Sequence, residues 1–386
     1  MSLSLPETLA QIDDPETIQD ILNSVGVEVL SESDDKTPSS PTLEDLYERY
    51  LSRRENRSPA TRAQYKRTIP EFIAFSKAQG VTIPSGLSIE LVDRYVDEVK
   101  QKHEADATQL TYTKNVRSWL RWLSKRQYCD EAVYRVLDKD ELNLDPTVRD
   151  EAIPESVARH IIERLGEQRY GSKMHAIIEV GFNGGLRIGD LHSLDVKDFR
   201  SDENTIVLRH RPDTGTRLKN GEVQDNTPGD GERDVIVKDR VIDAIQWYID
   251  NVRPDVTDEY SRSPLFATKQ GRASKSTLRR WIYEATSCRW APDESEINYD
   301  SVRRNKPITC DGGCDPDLNV CPYSYCPHAI RRGAIVNHLS NGLYPSRASE
   351  RFDVSIPVLK KHYDPRTKRK QKMDRSDAVQ NAWSVW

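Results

Sequence analysis

Three separated stretches of this 386-residue chain hold side chains that could do chemistry together. The first is Cys321-Pro-Tyr-Ser-Tyr-Cys-Pro-His328-Ala-Ile-Arg331-Arg-Gly333. His328 and Arg331 are three residues apart, so a helix would put them on one face. The apolar run Ala334, Ile335, Val336 and Leu339 would carry that helix into a core. A guanidinium grips two oxygens of a phosphate, and an imidazole beside it donates or accepts a proton. The second stretch, Gly184-Gly185-Leu186-Arg187-Ile188-Gly189-Asp190-Leu191, sets another arginine behind a glycine pair. The third is Lys361-His362-Tyr363-Asp364, a short polar segment after Val358 and Leu359, where a tyrosine hydroxyl is a candidate nucleophile. Lys219 stands in a polar, Gly- and Asp-rich connection between two strand-like runs.

Each of these residues has a plainer reading when taken alone. Arg187 could be a helix-capping ion pair with Asp190 as a surface partner. His328 could be structural or a metal ligand, Tyr363 a half-buried core residue, and Lys219 a solvated loop lysine.

Taken in order, arginine, lysine, histidine, arginine and tyrosine resemble the tyrosine recombinase (phage integrase) family. The motifs are Gly185-Leu-Arg187-Ile-Gly-Asp190-Leu, His328-Ala-Ile-Arg331-Arg-Gly333, and His362-Tyr363-Asp364 behind them; the resemblance covers residues 42 to 366. It implies that Tyr363 attacks a DNA phosphate, forming a 3′-phosphotyrosine and releasing a 5′-hydroxyl. Arg187 and Arg331 would stabilise the transition state, and Lys219 would protonate the 5′-oxygen. His328 would orient the phosphate or help move the tyrosine proton, and Asp190 would pair with and position Arg187. The chemistry would need no metal, cofactor or ATP. The implied partner is double-stranded DNA, bound by a homotetramer on paired sites, for integration or excision of a mobile element or for resolution of multimers. One departure stands out. The family's further histidine or tryptophan, nine residues before the tyrosine, is here Val354, which has no hydrogen-bonding group. Asp353, Ser355 and His362 are candidates to compensate.

The elements that must position these groups divide the chain. Residues 1–41 read as an acidic, flexible arm. Residues 42–145 read as a helical core-binding domain. Leu43, Leu46, Tyr47, Tyr50 and Leu51 form one apolar stripe. Ser58-Pro59 starts a helix that Pro70 would bend or split, Ser88 caps a third, and a fourth spans Thr111 to Lys125. Ser58-Pro-Ala-Thr61-Arg-Ala-Gln-Tyr65 resembles the same family's core-binding domain. Arg57, Arg62, Lys66, Arg67, Lys114 and Arg117 are its candidate phosphate contacts, each weighed against a solvated helix face. Residues 146–153 read as a linker, and 154–366 as the catalytic domain. Strand-like runs there, Thr205–Leu208 and Asp234–Val237, lie among helices. The expected fold is therefore mainly α with a small antiparallel β-sheet: a two-domain, recombinase-like architecture with a helical core-binding domain and an α+β catalytic domain. Residues 367–386 form a basic and aromatic tail.

Cys310, Cys314, Cys321 and Cys326, in the Cys-rich loop 310–326 before His328, are candidate ligands of a structural zinc. His328 could instead replace one of them. The other two cysteines, Cys129 and Cys288, read as isolated and buried.

Net charge is −5, but residues 1–40 hold nine acids and one base, so the rest of the chain carries +3. That distribution permits nucleic-acid binding. No apolar run reaches the roughly 18 residues of a membrane span, and no secretory signal is visible. The expected location is cytoplasmic. The rival reading is a non-catalytic DNA-binding regulator on the same fold; a type IB topoisomerase would share the chemistry.

Overall fold

The computed structural model describes residues 40–144, 151–219, 231–291, 321, 324–364 and 376. The acidic arm up to residue 39, linker residues 146–150, Cys310, Cys314 and the tail apart from Ser376 lie outside them. The chain divides into two compact units, residues 1–148 and 149–386.

The described part of the first unit is helical: α1 (Leu43–Ser52), α2 (Pro59–Ala78), α3 (Ile89–Lys102), α4 (Asp106–Ser124) and the short α5 (Ala132–Arg135). Three starts follow from local chemistry. Thr42, Ser58 and Ser88 each accept a backbone N–H of the first turn through their hydroxyl, and Pro59 opens α2. The apolar stripes meet in a core where Leu46, Tyr50, Phe72, Val92, Trp119 and Leu120 are fully buried. One of the two outcomes expected at Pro70 does not occur, and one helix start moves. Helix α2 runs on through Pro70 without splitting. The hydrogen bond that proline removes would have gone to the carbonyl of Lys66, an exposed residue whose carbonyl water can serve. Helix α4 starts at Asp106 rather than Thr111, because Ala105 offers no side-chain cap to mark the start.

The second unit holds α6 (Glu155–Arg169), α7 (Lys173–Gly184), α8 (Ile188–Ser193), β1 (Phe199–Arg200), β2 (Thr205–Leu208), β3 (Arg233–Ile236) and α9 (Asp239–Asn251). It continues with β4 (Ala267–Thr268), β5 (Gly271–Arg272), α10 (Lys275–Ala285), α11 (Pro327–Ser340), α12 (Pro345–Phe352) and α13 (Ile356–His362). Helix α7 is the centre: it is buried along most of its length, His175 and Glu179 included, and α6, α9, α10 and α11 pack against it. Strands β1, β2 and β3 form an antiparallel sheet, with Ile206 opposite both Phe199 and Val235. Strand β2 is buried along its whole length, and β4 and β5 make a separate small hairpin. Arg272 of β5 donates to the carbonyls of His192 and Leu194 (2.9 and 3.1 Å), tying that hairpin to the end of α8. The fold is thus mainly helical with small antiparallel sheets. Among the described residues no helix is long and apolar enough to cross a membrane.

Candidate functional site

The site grows from two glycines. Helix α7 ends in Gly185, whose φ of +59° is the left-handed conformation that a side chain resists. A Cβ there would also stand 2.4 Å from the Phe352 ring. The turn sets Arg187 at the N-cap of α8. The second glycine, Gly333, lies inside α11, where a Cβ would stand 2.2 Å from the carbonyl oxygen of Ile153. The chain at Ile153 therefore lies directly on α11, and its N–H donates to the Ala329 carbonyl (3.1 Å).

Arg187 and Arg331 converge on one turn. The Nη1 of Arg187 donates to Asp353 Oδ2, and its Nη2 to the Asp353 carbonyl, both at 2.5 Å. Arg331, only 2% exposed, donates to the Gly185 carbonyl at 2.6 Å and to the carbonyl of Phe352. The two arginines thus hold the carbonyls of consecutive residues, Phe352 and Asp353. Burial first, then the neighbouring Arg187 charge, pulls the Arg331 pKa down to about 9. It remains a cation at neutral pH.

Asp190 does not pair with the Arg187 guanidinium as expected. Its Oδ2 accepts the Arg187 backbone N–H (3.1 Å) and the Nη2 of Arg233 (2.8 Å). The third residue of a helix reaches back to the N-cap backbone, which leaves its charge to a cation arriving from β3. Arg233 also donates to the carbonyls of Arg351 and Gly231, both at 2.8 Å. No sequence signal singles it out; sheet packing alone brings it here.

His328 stands exposed in the first turn of α11. Partial desolvation, followed by the charges of Arg331, Arg332, Lys219 and Arg187, holds its imidazole below the ordinary range. It is therefore neutral at neutral pH, with four cations near enough to act on it. Lys219, one of them, is exposed in a turn.

Tyr363 is not in a polar extension. It caps the C-terminus of α13, its N–H donates to the Leu359 carbonyl (2.9 Å), and it is 9% exposed. It packs with Phe352, Leu359, Ile335 and Leu339. The Arg332 guanidinium lies 5.3 Å from its ring centroid, and Arg332 donates to the His362 carbonyl (2.5 Å). Val354 packs against the same apolar cluster, so its aliphatic side chain serves packing there. Of the three candidates to compensate, Asp353 presents its carboxylate to Arg187.

In the first unit, Arg57, Lys66, Arg67 and Lys114 are exposed, and Arg62 is half-buried. Arg67 lies over the Tyr112 ring (5.8 Å). Arg117 departs from expectation: it is half-buried and ion-paired with Asp138, which reduces its availability to phosphate.

The cysteines are only partly described. The N–H of Cys288 donates to Cys321 Sγ (3.5 Å), so Cys288 is not isolated, and both it and Cys129 are half-buried rather than buried. Cys326 stands at the N-cap of α11. Among the described residues no group of three or more His, Cys, Asp or Glu side chains is gathered to hold a metal. Two thiols fall short of a structural zinc's four ligands, and the candidates Cys310 and Cys314 lie outside the described residues.

Residues 45–127 match the phage integrase N-terminal SAM-like domain. A tyrosine recombinase XerC of Neisseria meningitidis serogroup C (strain 053442) is 27% identical over 167 residues, 39% of this chain and 50% of the relative. A XerC of Neisseria gonorrhoeae (strain ATCC 700825 / FA 1090) is 24% identical over 159 residues, with the same coverage. The chain thus spans about half the length of these curated relatives. Among solved structures, the Tn1549 transposon integrase in complex with circular intermediate DNA aligns with a TM-score of 0.60 at 15% identity, covering 87% of this chain and 99% of that one. A lambda integrase dimer bound to a COC′ core site aligns at 0.54 and 10% identity, covering 92% and 88%. At such identities these two structures speak for the fold.

Proposed function

We propose that this chain is a tyrosine recombinase that cleaves and rejoins DNA strands at specific sites, with Tyr363 as nucleophile; the match of residues 45–127 to the integrase SAM-like domain and the likeness to XerC support this reading. The observation that carries this reading is the convergence of Arg187 and Arg331 on the turn at Phe352 and Asp353, which only Val354 and Ser355 separate from the helix that Tyr363 ends. A scissile phosphate held between the two guanidiniums has its non-bridging charge neutralised without a metal.

A phenol titrates near pKa ~10 in water, so attack at neutral pH needs a base. The neutral His328 imidazole is free of its own proton charge and suits that role. As the Tyr363 Oη–phosphorus bond forms, the phosphorus–O5′ bond breaks and its electron pair goes to O5′. The Lys219 ammonium gives that oxygen its proton. The 3′-phosphotyrosine conserves the phosphodiester, and a 5′-hydroxyl from another strand reverses the steps. Asp190 holds the Arg187 backbone N–H, Arg233 holds the Asp190 carboxylate, and both act as positioning residues. In the first unit, Arg57, Lys66, Arg67 and Lys114 would meet the duplex backbone. Strand exchange would take four copies on paired sites, for integration or excision of a mobile element or for multimer resolution.

One observation favours the second reading, a DNA-binding regulator without chemistry: the Asp353 carboxylate already fills the Arg187 fork, beside an apolar Val354. Covalent trapping separates the two. The protein is incubated with nicked DNA fragments from its genomic neighbourhood and denatured. An adduct that disappears in Tyr363→Phe is expected. Salt-sensitive binding with no adduct on any fragment selects the regulator.

A further inference from the structure

We propose that Asp353 is an internal competitor of phosphate: its carboxylate holds Arg187 in the DNA-free protein and must leave before a phosphodiester can take the arginine. This rests on the reading above that Arg187 binds phosphate. The geometry is that of a stand-in. Nη1 meets the carboxylate and Nη2 the carbonyl of the same residue, both at 2.5 Å, the two-pronged arrangement a phosphate would otherwise receive. The pair is largely withdrawn from water, with side chains 18% and 12% exposed, so solvent screens it weakly.

The backbone is shaped for this contact. Asp353 ends α12 at φ 49° and ψ 57°, in the left-handed region. Aspartate and asparagine tolerate that conformation better than other side chains. The nearby Asp190 cannot substitute, because its carboxylate is engaged by Arg233 and by the Arg187 backbone.

The arrangement couples two events. Arg331 holds Phe352, Arg187 holds Asp353, and the chain runs from there through Ser355 into α13 and Tyr363. A phosphate that captures Arg187 displaces the carboxylate and loosens the turn that leads to the tyrosine. Anion arrival and release of the nucleophile's helix are then one equilibrium.

The test is isothermal titration of the full chain with inorganic phosphate. Asp353→Asn keeps an acceptor and tolerates the left-handed backbone but removes the charge. Asp353→Gly adopts that backbone without strain and removes the side chain, which guards against a misleading contact from the amide. Thermal melts confirm that each variant folds. Both variants should bind phosphate about tenfold tighter than the parent, and the gain should vanish when Arg187→Ala is added. Affinity within about threefold of the parent in both variants, weaker binding, or a gain that survives Arg187→Ala overturns the proposal. Phosphate binding is read without any strand cleavage. A protein that shows the gain but forms no DNA adduct refutes the strand-exchange reading alone; one that forms the adduct without the gain refutes only the competitor.

Discussion

Replacing Gly333 with alanine sets helix propensity against a steric contact, and the magnitudes decide which wins. In an open helix the change would stabilise by about 1 kcal/mol. Here the new Cβ would stand 2.2 Å from the Ile153 carbonyl oxygen and 2.6 Å from its Cγ2. The nearer atom is backbone and cannot rotate away. Ile153 is also tied to α11 through its own N–H, so either the segment entering α6 or α11 itself must shift. Overpacking of this kind costs roughly 1–3 kcal/mol, and a backbone obstacle belongs at the upper end. Net destabilisation of about 2 kcal/mol follows once the propensity gain is deducted. In a unit of this size each kcal/mol moves Tm by about 2–4 °C, so a drop of about 4–8 °C is expected. Circular dichroism melts of the full chain would measure it. Because α11 carries His328 and Arg331, adduct formation should fall even below the melting range. A Tm that holds or rises would refute the close packing of Ile153 on α11.

Two further outcomes follow from buried charge. Arg233→Leu removes the side-chain cation paired with Asp190, which is 1% exposed, and should cost about 3–5 kcal/mol in urea unfolding; a loss below about 1 kcal/mol would mean that Asp190 finds another cation. His175 is 3% exposed, and burial, then Arg240, lowers its pKa to about 4. Its Nδ1 accepts the Gly171 N–H (3.2 Å), while Glu179, itself raised by burial, lies 3.8 Å from Nε2 with Arg240 beyond it and the Tyr170 ring alongside. Between about pH 6.5 and 4 the unfolded chain takes up a proton that folded His175 refuses, so stability falls as pH falls, by at most about 3 kcal/mol. Proton uptake by Glu179 offsets part of that fall. Unfolding free energy measured across this range should drop more steeply in the parent than in His175→Gln; equal slopes would exclude His175 as a source.

Local physics made much of the fold legible. Hydroxyl caps at Ser58 and Ser88, the strand Thr205–Leu208 and the stripe from Leu43 to Leu51 each depend on neighbours within a few residues. Where such a signal is missing, as at Ala105 before α4, the start was misplaced. The order of Arg187, Lys219, His328, Arg331 and Tyr363 was likewise visible as residue types, with a resemblance to give the order meaning. Partnership was not. Whether Arg187 meets Asp190 or Asp353, whether Arg117 faces solvent or Asp138, and whether Tyr363 lies in a polar extension or under Arg332 are settled by contacts between segments distant in the chain. The sequence determined which side chains were available and which local turns could form, because caps, glycines and apolar periods act over one or two turns of helix. Only the tertiary structure decided which charge each arginine meets, because that choice depends on which helix ends and sheet edges the packed core brings within hydrogen-bonding distance.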